Sequence, residues 1–191
     1  MSITLEKYHG LGNDYLIFDP NKNDLELTGE RVRLICNRNF GVGSDGLLVG
    51  PILGRDKLEL KIFNPDGSEA ASGGNGVRIF GKYLKDGGYV QKNHFTINTL
   101  SGEQAIQYLN ETGTRIKASM GSLSFFSDQI PVAGPRREVL NETMMFGSIP
   151  YRVTCVSIGN PHCVIWLNDI SKDLACRIGK HSETAEYFPE K

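Results

Sequence analysis

Residues 64–76, Asn-Pro-Asp-Gly-Ser-Glu-Ala-Ala-Ser-Gly-Gly-Asn-Gly, carry the clearest chemical pattern in the chain. Ser72 to Gly76 make a glycine-rich turn, and Val77, Ile79, Phe80, Tyr83 and Leu84 follow at helical spacing. A loop feeding a helix N-terminus presents unpaired backbone N–H groups and the positive end of the helix dipole, which suits a small anion. Position 73, where a nucleophile or base would stand over that helix end, is glycine. Asn13, Asn64, Asn75 and Asn160 all lie in turns that contain Gly or Pro, at the ends of apolar segments. An amide accepts from an ammonium and donates to a carboxylate, so this set beside an anion site suits an amino-acid-like ligand. The same residues are also ordinary turn formers, and the pattern alone leaves both readings open.

Other candidates are weaker. His162 follows Asn160-Pro161 and opens an apolar segment, and His9 precedes Gly10-Leu-Gly-Asn13; either can be a satisfied structural histidine. Asp66 and Glu69 read as turn-forming and capping residues rather than as an acid pair. The loop Gly41-Val-Gly-Ser-Asp-Gly46 lacks both the dinucleotide spacing and a Lys-Ser/Thr, so no nucleotide site is expected there. Cys36, Cys155, Cys163 and Cys176 form no C-x-x-C and, with four histidines, no zinc spacing. They read as small buried hydrophobes of a reducing compartment. Neither a metal nor a cofactor is predicted.

The elements that must position these residues can be traced along the chain. Segments 3–8 and 15–18 read as strands around a tight turn. Thr28 is a fit N-cap for a helix through Asn37, with Val32, Ile35 and Cys36 on one face. Segment 47–52 is a short strand, and 57–63 alternates Leu58, Leu60 and Ile62 against Lys57, Glu59 and Lys61, as a half-buried strand does. The helix from about Gly74 to Asp86 has Lys82 and Lys85 in its last turn and Gly87-Gly88 after it. Its apolar residues cover more than one face, which predicts a buried, central helix. Strands are expected over 95–100, 103–109 and 114–120, then over 151–157 and 163–167 on either side of Ile158-Gly-Asn-Pro-His162. Ser171 or Asp173 can start a last helix. This order gives an α/β (α+β) fold with a first domain over 1–119 and a partial second domain over 120–191.

The chain's 191 residues allow one large or two small domains with a genuine core. A net charge of −1 gives no electrostatic case for nucleic acid or an anionic membrane. No apolar run approaches the ~18 residues of a membrane span. The first residues lack a signal-peptide pattern, which predicts a cytoplasmic location.

Five blocks now combine: His9-Gly-Leu-Gly-Asn-Asp14, Gly41-Val-Gly-Ser-Asp45, Phe63-Asn-Pro-Asp-Gly-Ser-Glu69, Gly74-Asn-Gly76 with Arg78, and Gly159-Asn-Pro-His162. In this order and at this spacing they resemble diaminopimelate epimerases. The resemblance implies a cofactor-independent isomerase that interconverts LL- and meso-diaminopimelate in lysine and peptidoglycan synthesis. It implies two similar α/β domains, each with a sheet wrapped around a central helix, and a substrate cleft between them. It also implies two cysteines at helix N-termini, one taking the α-proton as thiolate and one returning a proton to the opposite face. Position by position, Asn13, Asn64, Gly74, Asn75 and Asn160 match substrate contacts, and His162 matches a supporting histidine.

The departures are as specific. Gly73 occupies the position of the first catalytic cysteine, with Ala70, Ala71 and Ser72 separating it from Glu69 as in the family. Ser72 stands one position early, and a hydroxyl there is a poor base at neutral pH. The family's glutamine-like contact falls on Gly46. The family's second cysteine, in its own glycine-rich turn, has no counterpart among these residues, and the second domain reads as cut mid-way. Negligible racemisation by this polypeptide is therefore expected. An incomplete second domain would expose apolar surface along 151–167, which predicts self-association, as a homodimer, or a bound partner. The alternative is a non-catalytic relative that binds an amino acid or a partner protein. Kinship with the proline racemase or phenazine-biosynthesis type is disfavoured by the full set of blocks.

Overall fold

The computed structural model describes residues 3–54, 57–71 and 73–189. The chain forms two compact units, Met1–Met120 and Gly121–Lys191.

In the first unit, β1 (Leu5–Gly10) and β2 (Asn13–Phe18) form a hairpin. Its turn is Leu11-Gly12, both with positive φ (57° and 88°). Thr28 caps α1 (Gly29–Cys36) by accepting from Arg31 N at 3.4 Å, and Val32 and Cys36 are buried. There follow β3 (Leu47–Leu53), β4 (Leu58–Phe63), the two-residue β5 (Glu69–Ala70) and α2 (Gly74–Asp86). β6 (His94–Thr99), β7 (Gly102–Tyr108) and β8 (Ile116–Ala118) complete the sheet. Its order is β1-β2-β3-β4-β6-β7-β8, with β5 paired to β4. β2–β3 and β4–β6 are parallel and the other pairs antiparallel. The parallel pairs need crossovers, which α1 and α2 supply.

α2 packs against both β1 and β8, so the sheet curls around it. Val77, Ile79, Phe80, Tyr83 and Leu84 are buried against Ile17, Leu48, Leu60, Ile62, Ile97 and Ile106. The central helix expected from its two apolar faces is therefore present with its expected bounds. Gly76 lies where a Cβ would stand 3.2 Å from Leu48 Cδ2, so this turn of the helix sits close on the sheet.

In the second unit, a 3-10 turn (Ser127–Gln129) precedes β9 (Glu142–Phe146), β10 (Ile149–Ser157) and β11 (Pro161–Ile165). These form an antiparallel sheet in the order β11-β10-β9. Ser171 caps α3 (Lys172–Glu183), accepting from Leu174 N at 3.1 Å. The core gathers Ile130, Val132, Val139, Met144, Phe146, Val153, Cys155 and Ile178. Ile178 is the buried residue of α3, whereas α2 buries residues on several faces.

Four expectations are corrected. The strand expected over 114–120 is only β8, because Asn110 and Thr114 hydrogen-bond within the preceding turn. The strand expected from Cys163 begins at Pro161, so Pro161 and His162 belong to β11 rather than to the turn. Proline is tolerated there because its partner Ser157 bonds away from β11, to Ser124. The cysteines divide: Cys36 and Cys155 are buried, but Cys163 and Cys176 are exposed. Exposure along 151–167 is also uneven, since Val153 and Cys155 are core residues while Trp166, and Ile170 just beyond, are each 80% exposed.

Candidate functional site

The N-terminus of α2 is open. Val77 N donates to Gly73 O at 2.8 Å, which places the amides of Gly74, Asn75 and Gly76 ahead of the helix's own ladder. Gly73 is the N-cap and supplies no side-chain bond, and no acidic residue lies in the first turn. An open helix start of this kind favours a bound carboxylate.

Around it the chain fixes two amides. Asn75 Nδ2 donates to Asn13 Oδ1 at 3.2 Å, while Arg78 donates to Asn75 Oδ1. Asn13 Nδ2 in turn donates to Asp45 Oδ2 at 2.9 Å. Asp45 is held by Arg38, 2.7 Å away, and accepts from Asp14 N at 3.0 Å. Arg38 also meets Asp14 at 2.6 Å, and Lys7 meets Asp14 at 2.9 Å. The Arg38 guanidinium, followed by Lys7, holds the Asp14 carboxyl well below the usual range despite opposing desolvation. Asp45 is lowered first by the Asn13 amide and then by the Asp14 backbone N–H. Both acids are thus anionic props that orient Asn13, rather than proton donors near neutral pH.

Position 73 is structurally permissive. Its backbone is extended (φ −165°, ψ 99°), a conformation open to any residue. A Cβ there would find Ile62 Cδ1 at 3.7 Å and the Tyr15 hydroxyl at 3.9 Å, ordinary contacts. At Gly74 a Cβ would press on Met120 Sδ at 3.1 Å. At Gly46 it would meet Phe63 O and Tyr15 Cε1, both at 2.6 Å, so no side chain fits that backbone as it stands.

The remaining expected residues are placed apart from this cluster. Asn64 Nδ2 donates to Ser68 Oγ at 3.0 Å, and its backbone closes the 64–68 turn, so its amide is partly engaged locally. Among the described residues no hydrogen bond joins Asn64 to Asn13 or Asn75. Ser72 lies outside the described residues. A cavity of about 660 Å³ lies beside α2 with a cationic wall of Lys7, Arg78, Lys82 and Arg115. Asn75 and the weaker candidate His9 line it, but Asn13, Asn64 and Gly74 do not, so the open helix end, not this cavity, is the candidate half-site. In the second unit, Asn160 Oδ1 and His162 Nε2 are 3.1 Å apart across the β10–β11 turn, both exposed. Sequence reasoning missed the Arg38–Asp14–Asp45 network as a site element. Asp14 and Asp45 stood inside the recognised blocks, but nothing local marks Arg38.

The family model for diaminopimelate epimerase matches residues 5–126. A curated diaminopimelate epimerase 2 of Nostoc sp. is 45% identical over 188 residues, covering 97% of this chain and 65% of the relative. The diaminopimelate epimerase of Alkaliphilus metalliredigens is 34% identical over 199 residues, covering 100% and 68%. The chain thus spans about two thirds of the length of these relatives. Among solved structures, a probable proline racemase from Agrobacterium radiobacter K84 superposes with a TM-score of 0.57 at 14% identity, over 93% of this chain and 53% of that one. A phenazine biosynthesis protein of the PhzF family from Bacillus anthracis gives 0.50 at 19% identity, over 85% and 54%. These two share the fold. By the family match and the curated relatives together, the chain belongs to the diaminopimelate epimerase family.

Proposed function

We propose that the first unit binds the α-carboxylate and ammonium end of diaminopimelate, and that this chain does not itself remove the α-proton. The amides of Gly74, Asn75 and Gly76 receive the carboxylate, and the helix dipole favours its charge. Asn13 and Asn75 each spend one amide N–H on a protein partner. A carboxamide nitrogen carries two, so each keeps a second for the ligand. Asn64 is the further polar contact of the first unit in this reading. The family's proton transfer uses no cofactor and depends on thiols.

The observation that carries the second half of the proposal is Gly73. A Cβ at Gly74 or Gly76 would crowd Met120 or Leu48, at 3.1 and 3.2 Å, whereas position 73 has room for a side chain and has none. A positioned general base contributes about 10²–10⁴ in rate, and a hydrogen atom cannot supply it. The chain keeps the frame that holds an amino acid and lacks the atom that would deprotonate it.

Isothermal titration with meso-diaminopimelate tests the binding half. The 191-residue chain should bind, and Asn75→Ala should weaken binding by about tenfold, the loss of roughly one well-placed hydrogen bond. Absence of any heat of binding at millimolar ligand, or equal affinity in the variant, contradicts the placement.

A further inference from the structure

Cys155 and Cys163 are directly opposite one another in the β10–β11 ladder. Neither is among the residues that the family blocks carry.

Backbone bonding defines the kind of pair they make. Along an antiparallel strand a residue's N–H and C=O point to one edge, and successive residues alternate edges. Cys155 N donates to Val139 O at 3.0 Å, and Ser157 exchanges bonds with Ser124 at 2.8 and 2.9 Å. Both residues therefore turn their polar groups away from β11. Opposite Ser157 stands Pro161, which has no N–H to offer. Cys155–Cys163 shares this parity, so it is a non-hydrogen-bonded pair with Cα atoms about 4.5 Å apart. A disulfide closes without backbone movement over roughly 4.4–6.8 Å.

The two thiols are unequal. Cys155 is fully buried in the core of its unit. Cys163 is exposed and lines a cavity of about 510 Å³ together with Pro131, His162 and Glu183. The hydrogen bond between the two sulfurs pushes Cys155 up, and burial adds to that. The same bond pulls Cys163 down, against its own desolvation. Cys163 is thus the more acidic thiol and the one that solvent can reach, and Cys155 the thiol behind it.

The geometry points to a redox-active dithiol in which Cys163 reacts with a low-molecular-weight disulfide and Cys155 resolves the product to an internal Cys155–Cys163 disulfide. In the first step the Cys163 thiolate attacks one sulfur of the oxidant, breaking its S–S bond and expelling one thiolate. In the second, Cys155 attacks Cys163 Sγ and its proton passes to the departing sulfur, which leaves as a thiol. One S–S bond is broken and one formed, and the oxidant gains the two electrons that the cysteines lose. The cross-link joins β10 to β11, next to His162 of β11 and the turn that carries Asn160.

The test is oxidation of the 191-residue chain with oxidised glutathione, quenching in urea with iodoacetamide, and peptide mapping by mass spectrometry. A 155–163 bridge should appear as the loss of two hydrogens and should reverse with dithiothreitol. Cys155→Ser should instead trap glutathione on Cys163, and Cys163→Ser should abolish both products. Phenylarsine oxide, a probe for paired thiols, should bind once to the unmutated chain and lose at least tenfold in affinity with either variant. Mapping on the unmutated chain decides the matter even if a variant fails to fold. Full alkylation of both cysteines at every glutathione ratio, or a bridge to Cys176 or between chains, overturns the proposal.

Discussion

Gly73 is the position at which a single side chain would alter the chemistry most. Its extended φ and the 3.7 Å clearance to Ile62 mean that Gly73→Cys should fold with a stability change within about 1 kcal/mol. At an uncapped helix N-terminus the new thiol should ionise below the ordinary cysteine value of about 8.5. The pH dependence of its iodoacetamide alkylation measures this; an inflection at or above that value contradicts the open helix end. The props behind Asn13 make a second residue-scale prediction. Asp14 and Asp45 are both lowered on folding, so their contribution is complete above the unfolded value near ~4 and is lost as pH falls through the folded values. Thermal unfolding followed from pH 6 down to pH 2 should show this loss, and Asp45→Asn should reduce it. A variant whose melting temperature falls as steeply as the parent's would show that Asp45 is no prop.

At the scale of elements, α2 is the organising piece, and most of it was legible. Its apolar spacing, Lys85 in the last turn and the glycines after Asp86 are local signals, and each matches the structure. The alternation of 57–63 likewise placed Leu60 and Ile62 in the core of β4. What was not legible depends on distant partners. β5 has only two residues and exists because β4 offers an edge beside the 64–68 turn. Asp19 is buried and accepts from Tyr83 and Tyr89, both at 2.5 Å and 64 and 70 positions away. Burial opposes its ionisation, and the two phenols together with Asn21 outweigh it, so its carboxyl is held below the usual range. Asp19→Ala should cost about 3 kcal/mol, since it removes the bonds that Tyr83, Tyr89 and Asn21 donate to a charged acceptor and strands the two hydroxyls. Urea unfolding measures this, and a loss under ~1 kcal/mol would show that α2 needs no such tether.

For the whole molecule, the family assignment rests on ordered blocks spread over the chain, which is why it was readable while single side-chain partners were not. The division near residue 120 follows a change of pattern at Gly121, and each unit has its own core. No described helix is long and apolar enough to cross a membrane. Trp166 and Ile170, each 80% exposed, are the apolar side chains from which self-association is expected. Size-exclusion chromatography should show species larger than a monomer, reduced by Trp166→Ser; a monomer at high concentration contradicts this. The central claim is that the chain holds an amino acid without deprotonating it. Its most direct test is hydrogen–deuterium exchange at Cα of diaminopimelate, followed by NMR in D₂O with the 191-residue chain at saturating ligand. The account predicts exchange no faster than in buffer alone, while calorimetry shows the ligand bound. Exchange approaching the rate of a two-cysteine epimerase would contradict it.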